Sequence, residues 1–95
     1  MKRTRHQHFL KLFGIKLREI RKLKGLTQEK LSFMSDMELS TLNRIELGKQ
    51  NTSLSQVMAI AEALEIHPKL LLEFELEIQA DKPVTKKPKK TTGDK

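Results

Sequence analysis

The sequence predicts an all-α domain of five helices that closes with one short β-strand, at about residues 73–79. Two observations predict the helices. Apolar residues recur at spacings of three and four through most of the chain, and stop and cap residues divide that pattern into segments of helical length. A third observation predicts the strand. In "LLLEFELEIQ" (70–79), Leu72, Phe74, Leu76 and Ile78 alternate with Glu73, Glu75 and Glu77, the period-two pattern of a half-buried strand.

The first helix carries Leu10, Phe13, Leu17 and Ile20 on one face. Gly25 stops it, and Lys22 and Lys24 lie in its last turn, where cations suit the helix dipole. Thr27 caps a second helix, Gln28 to about Met34, with Glu29 in its first turn. "SDM" (35–37) forms a tight turn. A third helix runs from about Leu39 to Leu47, with Leu42 and Ile45 inward and Gly48 as its stop. After the loop "GKQNTS" (48–53), Ser53 and Gln56 form a capping box, followed on one face by Leu54, Val57, Ala61 and Leu64. Pro68 opens a very short fifth helix at its preferred first position, with His67 before it as a candidate cap. No internal repeat is visible.

A single strand can neither satisfy its backbone nor bury its apolar face. Its expected partner is the same segment of a second chain, paired antiparallel, with Leu72, Phe74, Leu76 and Ile78 packed on the helical bodies. The competing reading is a longer fifth helix, which the Glu and Leu content favours. A helix would gather Leu70, Leu71, Phe74 and Ile78 on one face but turn Leu72 and Leu76 the opposite way. The strand separates apolar from charged residues cleanly, although aligned Glu side chains repel across strands. Either form exposes apolar surface in a monomer, so residues 70–79 are expected to join a homodimer.

The 95 residues suit one domain, at 9–80, between a polar basic arm (1–8) and a Lys-rich tail expected to be disordered (81–95, "DKPVTKKPKKTTGDK"). The absence of Cys excludes disulfides and thiolate metal sites. No apolar run approaches the ~18 residues of a membrane span, and Lys11 and Lys16 interrupt anything resembling a signal sequence. A cytoplasmic protein is expected. The net charge of +7 is unevenly spread: +8 over residues 1–30, −6 over 31–81 and +5 over 82–95. Basic segments of this kind suit a polyanionic partner. His6, His8 and His67 are too scattered for a metal site, and no Ser–His–Asp order, phosphate loop or paired-carboxylate cleft is visible. No cofactor, metal or enzymatic activity is expected. Met34, Met37 and Met58 read as core filler or interface.

Residues 27–47 have the dimensions of a helix-turn-helix. The segment "GLTQEKLSFMSDMELSTLNRIELGKQNTSLSQVMAIAEALEI" (25–66) resembles the Cro/lambda-repressor-like (XRE-type) DNA-binding domain. With "LREIRKLKG" (17–25) in front, the resemblance covers roughly residues 13–72. It implies a five-helix lambda-repressor-like fold whose second helix lies over the DNA backbone and whose third enters the major groove. It points Leu39, Ser40 and Arg44 at base edges. Arg44 can hold guanine through two hydrogen bonds. It assigns Gln28, Thr41, Asn43, Lys49, Gln50 and Asn51 to phosphates, and Arg21 and Glu46 to a structural ion pair between the first and third helices. Lys16, Arg18 and Lys24 would add long-range attraction only.

The chain departs from the family at two positions. Leu39 stands where Arg or Gln is frequent and offers only an apolar contact to a thymine methyl. Glu38 stands where a small capping residue is usual, and its carboxylate repels phosphate unless it accepts from a cytosine amine. The function implied is a sequence-specific regulator binding double-stranded DNA as a homodimer at an inverted repeat. Restriction–modification controllers and antitoxins share this build, and a toxin or other protein partner is left open. The alternative is a protein-interaction module that kept the helix-turn-helix without specific DNA binding.

Overall fold

Four α-helices and one 3₁₀ turn make up residues 6–76, the part of the chain that this computed structural model describes. The helices are α1 (Gln7–Leu23), α2 (Gln28–Met34), α3 (Leu39–Glu46) and α4 (Leu54–Leu64), and the 3₁₀ turn is Pro68–Leu72. Phe13 and Leu17 from α1, Leu31 from α2, Leu42 and Ile45 from α3, Ile60, Ala61 and Leu64 from α4, and Leu71 from the 3₁₀ turn form one buried core. Helix α1 packs on α3 and on the 3₁₀ turn, while α2 packs on α3 and α4. The two helices of the helix-turn-helix are thus held against each other, α3 also by α1 and α2 also by α4.

The caps follow local chemistry. The Thr27 hydroxyl accepts from the Lys30 N–H at 3.0 Å. Ser53 and Gln56 close a reciprocal capping box, with bonds of 3.1 and 3.0 Å. His67 Nδ1 accepts from the Lys69 N–H at 3.0 Å and starts the 3₁₀ turn. The C-terminal ends are equally regular. In each α-helix one N–H bonds five residues back and the preceding one three back, as in Leu26 to Arg21 with Gly25 to Lys22, and Met37 to Ser32 with Asp36 to Phe33. This is the Schellman arrangement, and it needs a residue with positive φ. Gly25, Asp36, Gly48 and Glu65 fill that position, at φ 73°, 56°, 74° and 59°.

Gly14, in the middle of α1, sets the closeness of α1 to α3. A Cβ there would overlap the backbone carbonyl oxygens of Ile45 and Glu46. A Cβ on Gly48 would lie 2.7 Å from Lys11 Cα. The C-terminal end of α3 is therefore seated directly on the α1 backbone at two glycines.

Several expectations change. The fifth helix is a 3₁₀ turn and not an α-helix. Leu54 is 87% exposed, because the first turn of α4 extends past the core, and Ile60 takes the buried place on that face. The arm expected at 1–8 is shorter, since α1 already begins at Gln7; residues 1–5 and the tail 81–95 lie outside the described residues. The strand expected at 73–79 is not formed over its described part, residues 73–76. Glu73 has φ −85° and ψ 88°, and the Phe74 N–H bonds the Leu72 carbonyl at 3.1 Å. That is an inverse γ-turn, which breaks an extended run. Phe74 instead meets Phe9 edge to face, with ring centroids 5.6 Å apart. Leu72 and Leu76 are exposed, and Ile78 lies outside the described residues.

Candidate nucleic-acid interface

The buried half of α3 fixes its exposed half. Leu42 and Ile45 sit in the core, and Glu46 is held by two neighbouring elements. Arg21 donates to Glu46 from Nε (2.6 Å to Oε2) and from Nη2 (3.1 Å to Oε1). The third arm of the guanidinium, Nη1, donates to the Leu26 carbonyl at 2.7 Å. Gln28 Nε2 adds a bond of 2.9 Å to Glu46 Oε1. Both charged side chains are nearly fully buried, and the pair is bidentate with its remaining polar atoms engaged, the condition under which a buried ion pair is tolerated. The expected pairing of Arg21 with Glu46 is therefore present.

With that side anchored, Leu39, Ser40, Asn43 and Arg44 are exposed on the other side of α3, and Thr41 is half-buried. Glu38 occupies the N-cap but makes no side-chain cap bond, so its carboxylate stays at the exposed mouth of the helix. Gln28 does not present a free amide. Its Nε2 is shared between Glu46 and, at 3.3 Å, Asn43 Oδ1, which ties the start of α2 to the middle of α3. Arg44 Nε donates to Gln50 Oε1 at 2.9 Å. Lys49 and Asn51 are exposed beside it, and Gln50 is half-buried.

Arg18, Arg21, Gln28, Asn43, Glu46 and Leu47 line one open cleft between α1, α2 and α3. Arg18 is thereby brought beside Gln28 and Asn43, closer than the long-range role expected of it. Its spacing of three from Arg21, which puts both on one face of α1, was the available signal. Lys11 and His8 border a second cleft with Lys49. Among the described residues no group of His, Cys, Asp and Glu could hold a metal ion.

A family model described as Helix-turn-helix matches residues 17–71. The chain belongs to the XRE-type helix-turn-helix family. It is 44% identical over 64 residues to control protein C.BamHI of Bacillus amyloliquefaciens, across 66% of this chain and 79% of that protein. The crystal structure of the restriction-modification controller protein C.AhdI from Aeromonas hydrophila superposes with a TM-score of 0.65 at 44% identity, covering 65% of this chain and 94% of the other. The wild-type restriction-modification controller protein C.Esp1396I gives a TM-score of 0.66 at 25% identity, covering 72% and 90%. The all-α fold expected from the sequence is shared with these two controller-protein structures.

Proposed function

We propose that this chain is a restriction–modification controller, a transcriptional regulator that binds an inverted repeat as a homodimer in the cytoplasm. One observation carries the reading: α3 is locked by Arg21, Gln28 and the core while Leu39, Ser40, Asn43 and Arg44 stay exposed on its outer side. Such a helix is preorganised to enter a major groove. Leu39, Ser40 and Arg44 would meet base edges, with Leu39 against a thymine methyl and Arg44 on guanine. Thr41, Asn43, Lys49, Gln50 and Asn51 would hold phosphates on either side, joined by Arg18 from the cleft. Gln28 would act mainly by orienting Asn43, since its amide is already engaged. The relatives named as control proteins support the controller role.

A single helix reads only a few base pairs, so a symmetric dimer with half-sites about 10 base pairs apart is the economical arrangement. The exposed Leu72, which ends the 3₁₀ turn, and Leu76, just beyond it, support a second copy at that end. Among the described residues no helix is long and apolar enough to cross a membrane. The test is selection of binding sites from random duplex DNA by the purified protein at near-physiological salt. An inverted repeat with half-sites one helical turn apart is the expected product. No enrichment by folded protein would overturn the reading in favour of a protein-interaction module.

A further inference from the structure

Gln50 lies in the loop after α3 and makes its side-chain contact inside the proposed reading surface. Its Oε1 accepts from Arg44 Nε at 2.9 Å. Chemistry fixes the polarity of that bond: a guanidinium has donors only, so the amide oxygen and not the amide nitrogen must face it. The loop geometry makes the contact reproducible. Gly48, at φ 74°, turns the chain back, with its N–H on the Ile45 carbonyl and the Lys49 N–H on the Arg44 carbonyl at 2.9 Å. Gly48 also packs directly against the α1 backbone at Lys11, which leaves the turn no room to shift toward α1. Residue 50 is thereby returned over residue 44.

We infer that Gln50 is a positioning residue for base recognition: it orients the Arg44 guanidinium so that the Nη1/Nη2 edge faces the groove. This deepens the proposed function and rests on Arg44 being a base reader. With Nε–H committed to Gln50, the pair of parallel N–H donors left to Arg44 is the end-on pair, which matches guanine O6 and N7. The Gln50 amide nitrogen remains available to a phosphate, so one side chain links backbone contact to base contact. An arginine held this way loses less rotamer freedom on binding than an unrestrained one. The expected contribution is about fivefold in discrimination at one base pair.

The experiment compares wild type, Arg44→Ala, Gln50→Ala, Gln50→Glu and the double alanine variant of the full chain. Each is titrated with the selected site and with sites altered one base pair at a time, across a salt series. Arg44→Ala identifies the base pair that Arg44 reads. Gln50→Ala is expected to lower discrimination at that pair alone by about fivefold, with the salt slope unchanged, and to lower it no further when Arg44 is already alanine. Gln50→Glu, whose carboxylate also accepts from Nε–H, is expected to keep the discrimination while binding all sequences more weakly. If Gln50→Ala weakens every site alike and its effect adds fully to that of Arg44→Ala, Gln50 is a phosphate contact only and the inference fails. If Arg44→Ala loses no discrimination anywhere, the base-reading role itself fails, and the inference falls with it for that separate reason. Arg44 is exposed, Gln50 is half-buried and neither belongs to the core, so unfolding midpoints close to wild type establish that the variants are folded.

Discussion

Glu46 accepts three hydrogen bonds from two side chains on two other elements. Its removal would leave the Arg21 charge buried and half-satisfied, so Glu46→Ala is expected to cost about 3–5 kcal/mol in urea unfolding. Gly14→Ala tests the neighbouring contact and sets two effects against each other. Alanine favours the helix by about 0.5–1 kcal/mol over glycine, but its methyl would overlap the Ile45 and Glu46 carbonyls. Those are backbone atoms of a packed helix and cannot yield cheaply, so the overlap wins. A net loss of about 1–3 kcal/mol is expected. These two residues were legible in different degrees. The Arg21–Glu46 pair followed from the family resemblance, with nothing in their 25-residue separation to announce it. Gly14 carried no legible role, because a lone glycine in a helical pattern reads as a local defect until the backbone it admits is known.

The helices were legible because their boundaries are set by short-range chemistry. Thr27, the Ser53–Gln56 box and Gly48 act within one turn of themselves, and each does what its residue type predicts. The shared ending of the four helices also exposes a stored cost. Glu65 holds a left-handed conformation that an ordinary side chain adopts at a penalty of about 1–2 kcal/mol. Glu65→Gly is expected to raise stability by about 1 kcal/mol, read as an upward shift of the thermal unfolding midpoint. The smaller gain is expected at Asp36, whose short polar side chain tolerates that region better. The segment after Leu72 was misread because its alternation is real while its conformation is decided elsewhere. Phe9, sixty-five residues upstream of Phe74 in the chain, packs against its ring where the backbone turns at Glu73. No periodicity within 70–79 contains that information.

For the molecule as a whole, charge and apolar exposure divide the labour. Arg18 and Lys11 of the basic helix α1 line the two clefts beside α3, where they would add to the attraction for DNA of the proposed reading helix. Assembly is expected from the exposed Leu72 and Leu76 at the C-terminal end of the described chain. Leu72→Glu combined with Leu76→Glu is expected to leave the domain folded, with an unfolding midpoint that no longer depends on protein concentration, since neither side chain belongs to the buried core. The same variant should sediment as a monomer and lose about tenfold or more in affinity for an inverted repeat. The candidate site as a set rests on the family pattern, whereas Arg18 and the coupling of Gln50 to Arg44 depend on how α1 and the loop fold back over α3. The ring contact between Phe9 and Phe74 has a practical corollary. It brings the start of α1 and the segment after the 3₁₀ turn side by side, so a tag or fusion attached ahead of α1 is delivered onto the same ground as one attached behind Leu76, and choosing either end is a choice about which assemblies the fused protein can still form.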